Sequence, residues 1–217
     1  MANDYTTTAL IKASLPSGAQ TAAPSFGTGQ DTHIGTLATR ASRMIDRYCG
    51  RPDGYFYVSA DVTNYYTGDG SMYLWIDDLA AAPTSLAMAD GGVVDSGAGT
   101  GGTYTAWSAS DYRLWPYNAA NEGKPYCRVE VNLYTSGQSG FVAFEKGVKI
   151  VGKFGYSTAI PGDIAEAAAI IGAWLYKQGL SGWQQASANL DLGQLFYTGA
   201  LHPTTKLILD QYKRVTK

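Results

Sequence analysis

The hydrophobic rhythm of the chain changes twice. Between positions 31 and 48 the apolar residues Ile34, Leu37, Ala38, Ala41, Ile45 and Tyr48 recur at the three-and-four spacing of an amphipathic helix. Asp31 or Thr32 can cap its first turn, and Gly50 and Pro52 stop it. Arg40, Arg43 and Arg47 project away from the apolar stripe. From about 55 to 156 the period shortens to two, most clearly in Arg128-Val129-Glu130-Val131-Asn132-Leu133. Candidate strands cover 62–67, 72–76, 84–89, 103–108, 112–115, 126–133, 140–144 and 148–154. Gly68-Asp69-Gly70-Ser71, between the first two, predicts a β-hairpin. Turns at short intervals, with a glycine-rich loop at 91–102, predict a small antiparallel sandwich or open barrel.

Helical spacing returns after Pro161-Gly162-Asp163 and runs to about Gln178, with Gly179 as its stop. Ile164, Ala167, Ala168, Ile171, Trp174 and Leu175 cover more than one face, which predicts burial on several sides. Pro203 opens a last helix with Leu207, Ile208, Tyr212 and Val215 as its stripe. Residues 5–15 predict a short helix stopped by Pro16, and 17–30, rich in Gly, Ala, Ser and Thr, a flexible linker. Residues 180–202 look irregular yet hold Trp183, Leu190, Leu192, Leu195, Phe196 and Tyr197, the composition of a docked arm. The expected fold is α+β: a small helical bundle with an inserted antiparallel β-sandwich or barrel-like unit. The expected division is 1–30 as N-terminal arm and linker, 31–54 with 157–217 as the helical bundle and C-terminal arm, and 55–156 as the inserted β unit.

Composition narrows the function. Of 217 residues, 45% are hydrophobic, enough for a packed core. Only 16% are charged, well below the usual quarter or so, so the surface is rich in neutral polar groups. Such a surface suits a protein later covered by neighbours. A net charge of -2 gives no footprint for tight phosphate binding. Two cysteines, Cys49 and Cys127, make no disulfide framework and are expected as buried free thiols in a reducing cytoplasm. Residues 1–8 lack the layout of a signal peptide, and the apolar stretch 164–176 contains Glu166 and is too short to span a bilayer. No membrane association is expected.

The search for chemistry finds little. His33 and His202 lie near opposite ends, and no zinc-ligand spacing occurs. Asp77-Asp78 lacks the surroundings of an EF-hand and reads as a solvated turn. Gly137-Gln138-Ser139-Gly140-Phe141 is not a nucleophile elbow, because its second glycine comes one residue early. The glycine-rich stretch lacks the Gly-Lys-Ser/Thr ending that cradles phosphate. No catalytic residue, cofactor or metal is assigned, and an enzyme is not expected. Tyr55, Tyr57, Tyr65, Tyr66, Tyr73, Trp75, Trp107, Tyr112, Trp115, Tyr117, Tyr126 and Tyr134 crowd the β region. Such rings stack on sugars, but they are also good strand formers and interface residues, the reading preferred here. A carbohydrate-binding β module is the main rival, and a hydrolase with a scattered site the second.

Five segments in order carry a resemblance: Ala41-Ser42-Arg43-Met44-Ile45-Asp46-Arg47-Tyr48-Cys49-Gly50-Arg51-Pro52; Thr63 to Ser71 with Leu74-Trp75-Ile76; Asp111-Tyr112-Arg113-Leu114-Trp115-Pro116-Tyr117-Asn118; Val148 to Ser157 followed by Pro161 and Asp163-Ile164; and Ile208-Leu209-Asp210-Gln211-Tyr212-Lys213-Arg214. Together they resemble the head–tail connector (adaptor) proteins of long-tailed bacteriophages, in register from about Asp31 to Lys217. The resemblance implies a homo-oligomeric ring, usually dodecameric, assembled in the host bacterial cytoplasm into the neck of the virion. The ring would dock on the portal protein, hold a stopper or tail-completion protein on its opposite face, and let double-stranded DNA pass without tight binding. On this reading Leu195, Phe196, Tyr197, Leu207 and Tyr212 are the expected portal-side contacts, and Arg40, Arg43 and Arg47 the expected channel-facing residues. Another neck or tail-completion role stays within the same class.

Overall fold

The structure, a computed structural model, describes residues 3–15, 28–89, 103–180, 186–189, 194–197 and 203–214. It is an α+β fold in two units, Met1–Phe56 with Ile160–Lys217, and Tyr57–Ala159. The first unit is helical. It contains α1 (Thr8–Ser14) and α2 (Thr28–Cys49) before the β unit. In the β unit come β1 (Val62–Tyr66), β2 (Tyr73–Leu79), β3 (Ser85–Ala89), β4 (Tyr104–Ala106), β5 (Tyr112–Trp115), the short α3 (Ala119–Glu122), β6 (Tyr126–Val131) and β7 (Val148–Gly152). The chain then returns to the helical unit with α4 (Gly162–Leu180), β8 (Ala186–Asn189), β9 (Gln194–Tyr197) and α5 (Pro203–Asp210).

Helix α2 begins three residues before the expected cap at Asp31, and Ile34, Leu37, Ala38, Ala41 and Ile45 are buried as its periodicity requires. Gly50, at φ 66°, ends it: the Gly50 N–H donates to Arg47 O and the Arg51 N–H to Asp46 O, at 3.2 and 2.9 Å. That double bond pattern is a Schellman cap, and the left-handed backbone it needs is cheap only for glycine. Helix α4 is buried along Ile164, Ala167, Ala168, Ile171 and Ala173. Gly172 lets α1 approach it: a Cβ there would lie 2.6 Å from Ile11 Cδ1. Helix α1 is shorter than expected; Thr7 Oγ1 accepts the Leu10 N–H and fixes its start.

Two expectations for the helical unit need correction. On α5 the buried side chains are Thr205 and Leu209, four apart, while Leu207 is 71% exposed. Leu207 lies two residues, about 200° round the helix, from Leu209 and so falls off the buried face, whereas Ile208 and Tyr212 of the expected stripe are half-buried. The stretch expected as irregular contains an antiparallel pair, β8 with β9, in register from Ala186↔Tyr197 to Asn189↔Gln194. The expectations for 17–27, 91–102, Trp183, Leu190, Leu192, His202 and Val215 lie outside the described residues.

The β unit holds two antiparallel sheets, β1-β7-β3-β4 and β2-β6-β5. Both contribute to one core: Leu74, Ile76, Val129 and Val131 from the second, Leu86, Val148 and Ile150 from the first, with Trp107 and Phe141 between strands. The hairpin expected at 68–71 does not form. Its two strands join different sheets, β1 pairing with β7 and β2 with β6, and the turn residues cross from one sheet to the other. Reciprocal bonds pin the crossing: the Gly70 N–H donates to Phe141 O and the Phe141 N–H to Ser71 O, both at 2.8 Å. The backbones approach so closely that a Cβ on Gly68 would sit 2.4 Å from Val142 O, and one on Gly140 2.5 Å from Gly70 O. Residues 140–144, expected as a strand, form no ladder, yet Phe141 is buried and stacks on Trp107 with ring centres 5.3 Å apart.

Candidate interaction surfaces

In the β2-β6-β5 sheet alternate residues face opposite ways. Leu74, Ile76 and Val129 take the core side, which puts Tyr73, Trp75, Arg128, Glu130, Arg113 and Trp115 on the other. Arg128 on the central strand stands opposite Trp75 on one side and Trp115 on the other. Its guanidinium carbon lies 4.6 Å from the Trp115 ring centre, 5.2 Å from Trp75 and 5.1 Å from Tyr73. Cation–π attraction contributes roughly 0.5–1 kcal/mol per ring at such partly exposed sites. Arg128 also forms an ion pair with Glu130, whose other oxygen accepts the Tyr117 hydroxyl at 2.6 Å. Glu130 is buried beneath this group, and the bond to its carboxylate raises the Tyr117 phenol above its ordinary value. Above it Trp75 remains 64% exposed, Tyr117 61% and Tyr73 48%. The result is an aromatic face on which the central charges of Arg128 and Glu130 offset each other, with exposed Arg113 beside them.

The helical unit places the expected site residues differently from one another. Arg40 and Arg47 are exposed on α2. Arg43 turns inward: it donates to Asn3 O at 2.8 Å, lies 3.4 Å from Asp46 Oδ2, and stands over the Tyr5 ring. Tyr5 is the centre of this corner. Its N–H donates to Ser42 Oγ, its hydroxyl donates to Asp46 Oδ1, and the Phe56 N–H donates to that hydroxyl. The Gly54 N–H donates to Asp46 Oδ2 at 2.9 Å. Burial pushes the Asp46 carboxyl above its ordinary value and the Tyr5 phenol well above its own.

Of the expected portal-side residues, Leu207 is exposed, whereas Tyr212 is engaged within its unit. Its hydroxyl donates to Asp163, and its ring meets Phe56 edge-on at 5.4 Å. Leu195, Phe196 and Tyr197 lie on β9; their side chains are outside the described residues. The end of α5 is tied to α2: the Tyr48 hydroxyl donates to Asp210 at 2.7 Å, Lys213 pairs with Asp210, and the Arg214 N–H donates to Cys49 O. Cys49 and Cys127 are both free thiols. Among the described residues no group of three or more His, Cys, Asp or Glu side chains could hold a metal, and no helix is long and apolar enough to cross a membrane.

Two solved structures are similar over nearly the whole chain. One, from the neck of an empty gene transfer agent (GTA) particle computed with C6 symmetry, matches at TM-score 0.55 and 16% identity, over 97% of this chain and 90% of that one. The other, from the neck of a native GTA particle computed with C12 symmetry, matches at TM-score 0.51 and 17% identity, over 100% and 97%. The fold is shared with these neck components. No protein-family model and no curated protein matches the chain. The coverage includes the β unit, so the aromatic face rides on an architecture that the GTA neck chains also carry.

The sequence pointed to the arginines of α2, to the apolar C-terminal arm and, among a crowd of β-region rings, to Tyr73, Trp75, Trp115 and Tyr117, but it missed Arg128, Glu130 and the grouping of the rings about them. Its signal was present as alternation in three segments, 73–76, 112–115 and 126–131, but only the pairing of those strands brings Trp75, Arg128 and Trp115 abreast.

Proposed function

We propose that this chain is a non-enzymatic structural subunit of the neck of a tailed-phage-like particle, an adaptor that assembles as a closed ring between portal and tail. The observation that carries the reading is the likeness, over nearly the full length, to chains of GTA necks solved with C6 and C12 symmetry. Heterologous contacts repeated about an axis close into such rings, and a dodecamer fits both symmetries. A net charge of -2 suits a ring through which double-stranded DNA slides without being held. Exposed Arg40 and Arg47 on α2 are the residues proposed to face that channel, with Arg43 serving to hold the N-terminal segment. Leu207 with Leu195, Phe196 and Tyr197 on β9 would meet the portal, and Tyr212 would position α5 behind them. A stopper or tail-completion protein would take the opposite face. Assembly in the bacterial cytoplasm follows from the virion role.

The exposed rings of Trp75, Tyr73 and Tyr117 keep a carbohydrate-binding module in view as a second reading. One experiment separates the two. The purified chain is mixed with the portal protein of the same particle, and the mixture is examined by native mass spectrometry and negative-stain imaging. A portal bearing an added collar of this chain is the expected result, and the mass gives the copy number. A chain that ignores the portal, is absent from purified particles and is stabilised by oligosaccharides would establish the second reading instead.

A further inference from the structure

Single exposed aromatics are ordinary on a protein surface, but several on one sheet face around a shared arginine mark an interaction site. Trp75, Tyr73 and Tyr117 are about half exposed or more, and they surround Arg128. Tryptophan, tyrosine and arginine are the residues that dominate binding energy in protein interfaces. The chemistry of the polar groups decides the class of partner. Nucleic acid needs a groove of uncompensated positive charge; here Glu130 answers Arg128, and exposed Arg113 is too little to track a phosphate backbone. A glycan needs donors and acceptors open to its hydroxyls. Here one Glu130 oxygen takes Arg128 and the other takes the Tyr117 hydroxyl, so the carboxylate is already satisfied. A polar group satisfied from within its own fold can be covered by a protein without the cost of an unpaired buried charge. The face is also preorganised, because Tyr73, Trp75, Trp115, Arg128 and Glu130 stand on paired strands and Glu130 holds the Tyr117 hydroxyl, so little ordering is left for binding to supply.

We infer that the outer face of the β2-β6-β5 sheet, centred on Trp75 and Arg128, is one half of the contact between adjacent copies of this chain. The inference rests on the ring reading above. A second copy is the favoured occupant because the similar neck chains occur in cyclically symmetric assemblies and match through the β unit. In such a ring every copy presents two different patches to its two neighbours. The low charged fraction, 16%, fits a surface largely covered by its own kind.

The test places the photo-crosslinking residue p-benzoylphenylalanine at position 73, in place of Tyr73, in the full chain, and irradiates purified particles. The expected product has twice the mass of the chain and yields peptides of this chain alone. A crosslink to another particle protein, or none in particles that contain the chain, overturns the inference and leaves the neck reading standing. Absence of the chain from the particles sinks the neck reading itself. In a companion assay the Trp75→Ala chain, shown by circular dichroism to be folded, should enter rings on the portal about tenfold less readily than the unaltered chain. Unchanged ring yield would also overturn the inference.

Discussion

The Tyr5 hydroxyl lies 2.5 Å from Asp46 Oδ1, although the two residues are 41 positions apart, and both are fully buried. The bond clamps the segment before α1 onto α2, with Arg43 closing over it. Removing the hydroxyl strands two groups, the Asp46 oxygen and the Phe56 N–H. Tyr5→Phe should therefore cost about 1–3 kcal/mol in urea unfolding, with the ring packing retained.

The same corner has a pH signature. Burial is the largest influence on Asp46 and raises its carboxyl above 3.8, while the Tyr5 bond, the Gly54 N–H and Arg43 pull the other way. A carboxyl raised in the folded state keeps its proton where the unfolded chain has lost it. Its contribution is full below 3.8 and is lost as pH rises through the folded value. The stability of the natural chain relative to Asp46→Asn should thus fall as pH is raised from that point. Unfolding midpoints measured across the acid range check this; a relative stability that rises instead would contradict it.

The two thiols should differ in reactivity. Cys49 is buried, its Sγ lies 3.7 Å from Leu209 O, and burial pushes its thiol up to about 11. At pH 8 that leaves on the order of a hundredfold less thiolate than an ordinary cysteine carries. Cys127 is only half-buried, and its thiol is raised by burial and by Asp78. Timed alkylation with peptide mapping should label Cys127 first and Cys49 only as the protein unfolds.

Gly68→Ala should destabilise the β unit by roughly 2–3 kcal/mol, because the added methyl meets main-chain oxygens that no rotamer can move. The clash at 2.4 Å with Val142 O would have to be relieved by shifting the crossing strand. Thermal unfolding gives the value, and a loss below half a kilocalorie would show that the crossing is loosely held.

Trp75 and Arg128 should separate binding from stability. Trp75→Ala, at a largely exposed ring, should change folding stability by no more than about 1 kcal/mol. Arg128→Ala leaves buried Glu130 without its cation and should cost about 1–3 kcal/mol. Parallel denaturant titrations of the two variants make the comparison.

Features set by neighbours in sequence were legible before the structure. The stripe of α2, its stop at Gly50 and the many-sided burial of α4 all follow from spacing that one helix enforces on itself. The α+β class followed from the change of period. Features set by distant partners were not legible. Gly68-Asp69-Gly70-Ser71 carries the local chemistry of a hairpin, but strands β7 and β6 claim its two flanks. Arg43 has the helical position of a solvent-facing residue, and only the return of Asn3 and Tyr5 turns it to internal use. On α5 two candidate stripes overlap, and contact with α2 and α4 chose the one through Leu209 rather than Leu207. The polar corner of Asp46 gave no signal, since nothing local marks its partners.

The interruption of the helical unit between Phe56 and Ile160 orders the birth of the protein in time. Helices α1 and α2 leave the ribosome first, but the helix that buries their apolar faces, α4, follows only after the whole of Tyr57–Ala159 has been made. The β unit, continuous in sequence, has all its partners sooner and can collapse while the bundle still waits. Its two ends meet where the Val58 N–H donates to Ser157 O at 3.0 Å, so a folded β unit replaces a long floppy loop by a spacer with adjacent ends and lowers the entropy lost when the halves of the bundle meet. The inserted unit is then more than an appendage: it is the closure that makes docking of α4 on α2 a short-range event.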